Sequence, residues 1–258
     1  MQFLSPHLKK IKFFRNLYTL TKTTNSFITF SPLLLLKKYY WFFSQLKSFK
    51  RFQNNSIKEI EMFPCLFDNT VNTPLDPVYF FQDTWAAKHL FALLPSQHFD
   101  IGSSAKTVGI ISQFVPTTMI DIRPLELQLE GLNFVKGDIL NLPFEDSSIE
   151  SISSLCVVEH IGLGRYGDDI DPFGSEKAII ELKRVLKKGG VLLFSVPIDS
   201  ENKIYFNAHR SFTRSYILDL FEGFEILDEK YQYGKRLFDQ YEQEKGFGTG
   251  LFYLKKQL

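Results

Sequence analysis

The chain has 258 residues, 44% hydrophobic and 23% charged, enough apolar material for one large domain with an appendage and too much for a disordered chain. A formal net charge of +1 excludes a uniformly basic nucleic-acid coat protein, and two cysteines, Cys65 and Cys156, exclude a disulfide framework or a cysteine zinc site. The average hides a split: residues 1–62 carry 11 Lys and Arg against Glu59 and Glu61, a net +9, while the remainder carries 19 basic and 27 acidic residues, a net −8.

In the basic part the longest uncharged run, Thr23 to Leu36, has 14 residues, includes Asn25 and Pro32, and ends at Lys37 and Lys38. A membrane span needs about 20 apolar residues, and no small-residue cleavage site is present. A cytoplasmic protein is therefore expected. The stretch Leu33–Phe52 mixes Leu, Tyr, Trp and Phe with Lys37, Lys38, Lys47, Lys50 and Arg51. It suits a basic amphipathic helix lying on an anionic surface, such as the inner face of a membrane, or on a partner. It equally suits a helical extension packed on its own domain with solvated lysines. The expected division is a basic, aromatic-rich, largely helical extension over residues 1–74 and a folded body over 75–258.

Asp83–Leu94 reads as a helix with Asp83 as its N-cap, stopped by Pro95. His98–Gly102 is a short strand, Ser103–Phe114 a helix, and Thr117–Ile122, Asn133–Asp138 and Glu150–Cys156 three more strands. Ser175–Lys188 has its acids early and its bases late, with Gly189–Gly190 as the expected C-cap. A buried strand Val191–Pro197, a capped helix Thr213–Glu222 and two terminal strands near Glu225–Tyr231 and Thr249–Lys255 follow. Alternating strands and helices predict an α/β fold with a mostly parallel sheet, the last two strands pairing antiparallel.

In such a sheet a ligand sits beyond the carboxyl ends of the strands, at the switch point. The first strand ends in Asp100-Ile101-Gly102-Ser103-Ser104, where Gly102 allows a tight turn and close approach. The second ends in Asp121, placed to accept from both hydroxyls of a ribose. The third ends in Gly137-Asp138-Ile139, whose carboxylate can accept from an exocyclic amine. One such residue is ordinary turn chemistry; three at consecutive strand ends describe a pocket for an adenosine-containing ligand. A nicotinamide fold would want three spaced glycines to cradle a pyrophosphate, whereas the string here is GSSAKT. S-adenosylmethionine, which has no phosphate, tolerates this loop. Tyr18…Lys22 and Tyr231…Lys235 match the Tyr-x-x-x-Lys pair of short-chain dehydrogenases, but neither is placed on a helix of the body, and Asp171-Pro172-Phe173 reads as a turn.

The strings LPFEDSSIESISSLCVVEHI, ELKRVLKKGG and VLLFSVP resemble a class I S-adenosylmethionine-dependent methyltransferase, with the likeness running over about residues 75–258. YFFQDTWAA, FDIGSS, IDIRPLE, VEHIGLGRYGDDIDPFG and FNAHRSF resemble a bacterial group, the domain of unknown function 268 family. The resemblance implies a Rossmann-like sheet, S-adenosyl-L-methionine as cofactor, and methyl transfer to a small molecule or glycan precursor, in the setting of surface-polysaccharide biosynthesis. It places Asp100, Gly102 and Ser103 beside the methionine end, Asp121 at the ribose, Asp138 at the adenine, and Ser154 and Leu155 under the methionyl part. The usual first motif carries two or three glycines, and here Gly102 stands alone.

Methyl transfer needs an aligned nucleophile and, for a hydroxyl acceptor, a base. His209 is the first candidate base and His160 the second, because imidazole titrates near neutral pH; the alternative is that both are structural hydrogen-bonders. Tyr79, Gln82, Glu159, Arg165, Tyr166, Asn207 and Arg210 are candidate substrate residues, with Arg165 and Arg210 suited to a phosphate or carboxylate or to pairing with Asp168, Asp169 or Glu159. No metal is expected. Two rivals remain: a non-catalytic module that keeps the fold to bind a ligand, and a nicotinamide oxidoreductase.

Overall fold

A computed structural model describes residues 32–51 and 60–258. Tyr18, Lys22, Phe52 and Glu59, and the start of the uncharged run, lie outside the described residues. The chain divides into two compact units, Met1–Pro74 and Leu75–Leu258. Within the first, α1 (Pro32–Arg51) forms from a run with no Gly, no interior Pro and two cations in its last turn, Lys50 and Arg51, where they complement the helix dipole.

The second unit holds an eight-stranded sheet. Its strands are β1 (His98–Ile101), β2 (Thr117–Asp121), β3 (Leu132–Lys136), β4 (Ile149–Leu155), β5 (Leu186–Ile198), β8 (Phe224–Tyr233), β9 (Arg236–Phe238) and β10 (Gly248–Lys256). A separate hairpin pairs β6 (Lys203–Tyr205) with β7 (His209–Ser211). The sheet order is β3-β2-β1-β4-β5-β10-β8-β9. The first five strands pair in parallel, and β10 runs antiparallel between β5 and β8. The chain runs outward from β1 to β3 and then returns to lay β4 beside β1, so the switch point falls between β1 and β4.

Neighbouring strand residues face opposite sides. Leu192, Phe194 and Val196 of β5 join one core with Ile179 and Leu182 of α4 (Gly174–Val185) and Ile217 of α5 (Arg214–Leu220). Leu193 joins a second core with Trp85, Ala86 and Leu90 of α2 (Pro77–Leu93) and Ile111 of α3 (Ala105–Ile111). Burying the large side chains of these two layers supplies the main driving force, at about 1.5–3 kcal/mol apiece.

Two expected helix ends move. α2 begins at Pro77, with Asp76 as the N-cap accepting from the Val78 N–H at 2.9 Å. Asp83 sits mid-helix instead and accepts from the Thr107 hydroxyl at 2.7 Å, tying α2 to α3. α4 stops at Val185, short of the glycines. Leu186 is already extended and pairs with Ile149, because its fully buried side chain belongs to the sheet core. The carbonyls of Lys183 and Leu186 accept from the Lys256 ammonium at 2.7 and 2.8 Å, which replaces the glycine cap. The hairpin and β9 are elements the sequence pattern does not announce.

Candidate active site

A cavity of about 760 Å³ opens at the switch point, lined by strand tips and by the segment after β4. Gly102, Asp121, Gly137, Asp138 and Ile139 all line it. Gly102 has φ +73°, and a Cβ there would lie 3.0 Å from Val157, so the turn and the close approach both require glycine. The tips of β1, β2 and β3 thus share one space, as their order in the sheet dictates.

Four residues expected at the cofactor stand behind this wall. Asp100 is buried; its Oδ1 accepts from the Ser103 N–H at 3.0 Å and its Oδ2 from the Ser153 hydroxyl at 2.5 Å. Burial pushes this carboxyl up to about 6. Ser103 Oγ accepts from the Leu155 N–H at 3.0 Å, Ser154 Oγ donates to the Ile101 carbonyl at 3.3 Å, and Leu155 packs in the second core. They shape the tip and do not line the cavity.

Asp121 has a partner the sequence reading missed. Its Oδ1 accepts from the backbone N–H of Arg123 at 2.8 Å and from Arg123 Nε at 3.2 Å, and its Oδ2 from Nη2 at 3.3 Å. The guanidinium is largely exposed. It lies 4.7 Å from the ring centroid of Tyr166, and the Arg165 guanidinium lies 5.1 Å from the same ring. Asp-x-Arg ahead of Pro124 is a local turn pattern that signals this pairing.

The loop after β4 is organised by Asp168. Its carboxylate accepts from the N–H groups of Gly162, Gly164 and Tyr166 at 2.7, 3.3 and 3.1 Å, which hold it below the usual carboxylate range despite desolvation. Gly162, at φ +79°, leaves no room for a Cβ, which would lie 2.1 Å from the Asp171 carbonyl. Arg210 fastens the far side. It is buried, and it donates to the carbonyls of Ile161, Asp171 and Pro172 and to Ser175 Oγ. The role expected for Arg210 as a substrate anion site is therefore corrected: both Nη groups are committed to loop carbonyls and Ser175 Oγ, and Nε is buried without a hydrogen bond.

His160 lines the cavity, and its Nδ1 lies 2.6 Å from the Ala208 carbonyl. A carbonyl only accepts, so Nδ1 carries the proton and Nε2 keeps its lone pair. Burial pushes this imidazole down to about 4. Arg165 Nη1 donates to the same carbonyl at 3.0 Å, and Asn207 Nδ2 to the Leu163 carbonyl at 3.4 Å, so the hairpin turn is pinned to the loop. His209 sits apart from the cavity lining, with its ring against Tyr205 and Phe247 at centroid distances of 4.9 and 5.6 Å.

Glu159 is buried beside His160, its Oε1 3.7 Å from His160 Nε2 and its Oε2 without a hydrogen bond. Burial pushes its carboxyl up to about 8. Cys156, which follows β4 at φ +54°, lines the cavity, and burial holds its thiol well above the usual range. Its exit position after a buried strand is legible in the sequence; its backbone conformation is not. Gln82 is buried, accepting from the Ser195 hydroxyl at 2.7 Å and donating to Asp83 at 3.2 Å. Tyr79 is half-exposed on α2, and partial burial, with Cys156 and Tyr166 adding to it, raises its phenol. Tyr231 is buried and donates to Glu229 at 2.6 Å, which removes it from any dehydrogenase pair. Asp171 forms the expected turn, its Oδ1 accepting from the Phe173 N–H at 2.9 Å. Among the described residues no three His, Cys, Asp or Glu side chains gather as a metal site.

The fold is similar to that of solved structures. N-methyltransferase NodS from Bradyrhizobium japonicum superposes with a TM-score of 0.53 at 16% identity, over 74% of this chain and all of that one. The YcgJ protein from Bacillus subtilis gives 0.50 at 16% identity, over 69% of this chain and 99% of that one. The fold is that of class I methyltransferases. Residues 142–245 match the family described as "Caenorhabditis protein of unknown function, DUF268". That is the family the motifs resemble, described from Caenorhabditis where the sequence reading expected a bacterial group. A protein of Encephalitozoon cuniculi with a provisional methyltransferase name is 36% identical over 66 residues. That match spans 26% of this chain and 28% of the relative's length.

Proposed function

We propose that this protein is an S-adenosylmethionine-dependent methyltransferase acting on a small hydroxylated molecule or glycan precursor. One observation carries the reading: Gly102, Asp121 and Asp138, from three successive strand tips, line one cavity together with His160. Its volume of about 760 Å³ lies within the range of small-ligand sites, and the single-glycine turn fits a cofactor without phosphate. Asp121 would hold the ribose and Asp138 the adenine side. When bound, the cofactor supplies a methyl group made electrophilic by its sulfonium.

This chain's own residues then do the rest. His160, with its proton fixed on Nδ1 by Ala208, presents a neutral Nε2 that can take the proton of an acceptor hydroxyl. It supports this role better than His209, which does not line the cavity. Tyr166 lines the space the acceptor would enter, and the Arg165 guanidinium lies over its ring. Surface-polysaccharide metabolism remains the setting this reading favours, with a cytoplasmic reaction on a soluble or lipid-linked precursor.

A second reading, a binding module without catalysis, draws on the Arg123 guanidinium on both oxygens of Asp121 and on the inward turn of Asp100 and Ser103. Calorimetry with S-adenosylmethionine tests the first reading. Binding heat that is lost in Asp121→Ala supports it, and absence of heat at millimolar ligand overturns it. Binding without methyl transfer across an acceptor panel supports the second.

A further inference from the structure

Arg123 follows β2, and Tyr166 stands on the loop after β4. In the sheet β1 lies between those two strands, so a contact between the two residues passes over the β1 tip, where Gly102 turns. The contact is made: the Arg123 guanidinium sits 4.7 Å from the Tyr166 ring centroid. Both residues line the cavity, and both reach solvent, Tyr166 at 39% and the Arg123 side chain at 59%. The pair therefore joins the two walls of the cavity at its rim.

Each side chain is held at its base and free to turn at its tip. Asp168 Oδ1 accepts from the Tyr166 N–H at 3.1 Å, which fixes that backbone and leaves the ring as the moving part. Asp121 accepts from the Arg123 N–H at 2.8 Å, a firm anchor, but from Nε and Nη2 only at 3.2 and 3.3 Å, long for charge-assisted bonds. An exposed guanidinium on an aromatic ring shifts an equilibrium by a factor of about two to five. A closure this weak opens by side-chain rotation, with the sheet and the loop backbone at rest. We propose that Arg123 and Tyr166 form a side-chain gate over the cavity, closed by their mutual contact. What passes the gate rests on the reading above, in which S-adenosylmethionine occupies the cavity; the gate itself is set by the protein's own side chains.

The test reads the gate with no cofactor present. Cys156 lines the cavity, and Cys65, the other cysteine, is exposed. In the full chain carrying Cys65→Ser, the rate of alkylation by N-phenylmaleimide at one fixed pH, followed by mass spectrometry, reports access to the cavity. The groups that set the Cys156 thiol, Glu159, Ser195 and Asp83, stay in place, so a change in rate reads access and not acidity. Tyr166→Ala and Arg123→Ala should each speed alkylation by at least about two- to fivefold, with little change in melting, since neither side chain is buried. Tyr166→Phe keeps a ring for the guanidinium and should label at the native rate. The double alanine variant should be no faster than the faster single one, because one gate cannot be opened twice. A native rate in either alanine variant, a fast Tyr166→Phe, or two effects that multiply in the double variant would each overturn the proposal. Because no ligand enters the measurement, failure of the cofactor reading shows separately, as absence of binding heat.

Discussion

The Arg123 guanidinium holds both carboxylate oxygens of Asp121, from two residues further along the chain. The same two oxygens are the acceptors a ribose would need. Asp121→Ala should weaken S-adenosylmethionine binding by about 1–3 kcal/mol, the worth of the lost hydrogen bonds. Arg123→Ala should tighten it, by no more than about 1 kcal/mol, because an exposed ion pair is worth no more than that. Titration calorimetry on the two variants checks both; equal weakening in the two would mean that the pair binds as a unit.

His160 and His209 should separate in kinetics. His160→Asn is expected to lower kcat roughly a hundredfold to ten-thousandfold with cofactor affinity kept, as loss of a general base does. His209→Ala should retain most of the turnover, because its ring packs against Tyr205 and Phe247 away from the cavity lining. Steady-state rates beside cofactor affinity give the answer. Normal turnover in His160→Asn would remove it as the base.

Burial of Glu159 sets a pH dependence of stability. Its carboxyl is pushed up to about 8 in the folded chain from an ordinary value of 4.5. The unfolded chain therefore releases this proton first, and stability falls as pH rises from about 4.5 to about 8. His98 and His160, pushed down to about 3 and about 4, act in the opposite sense, but only below about pH 6.5. Asp100, pushed up to about 6, has finished its contribution by then. Between about pH 6.5 and 8 Glu159 dominates, at up to about 2 kcal/mol. Urea unfolding should lose stability across that window in the native chain, and Glu159→Gln should flatten it.

Gly162 and Gly167 both have positive φ, at +79° and +86°, but only Gly162 is crowded. Gly167→Ala should cost about 1 kcal/mol from backbone conformation alone. Gly162→Ala also drives a Cβ into the Asp171 carbonyl and should cost clearly more, with the loop around Asp168 displaced. Thermal melts of the two variants make the comparison; equal losses would mean the loop yields freely at Gly162.

Strand tips were legible because their signals are local: a Gly or Asp after a run of apolar residues marks Gly102, Asp121 and Asp138 directly. Where those side chains turn was not. Asp100 faces inward because Ser153, 53 residues away, offers its hydroxyl, and Arg210 is spent on carbonyls brought to it by a loop some 40–50 residues earlier. The end of α4 was misread for the same reason. Gly189–Gly190 look like a cap, yet the claim of Ile149 on Leu186 and the reach of Lys256 from the last strand end the helix at Val185, three residues sooner. Periodicity locates elements; partners distant in sequence decide how each one finishes.

The seam between β1 and β4 shares only two backbone register pairs, Phe99 with Ile152 and Asp100 with Ser153. His98 bridges it with both ring nitrogens, 2.8 Å from Ser151 Oγ and 2.9 Å from Ser153 Oγ. Ser153 gives its proton to Asp100, so it must accept from Nε2–H, and Nδ1 must accept from Ser151. Every proton in this string is thereby oriented one way, from Ser151 to Asp100. A crevice needs its two walls to part, and parting strands surrender their ladder bonds. Here side chains stitch the opening just below the fork, so the mouth can stay open without the sheet unzipping beneath it.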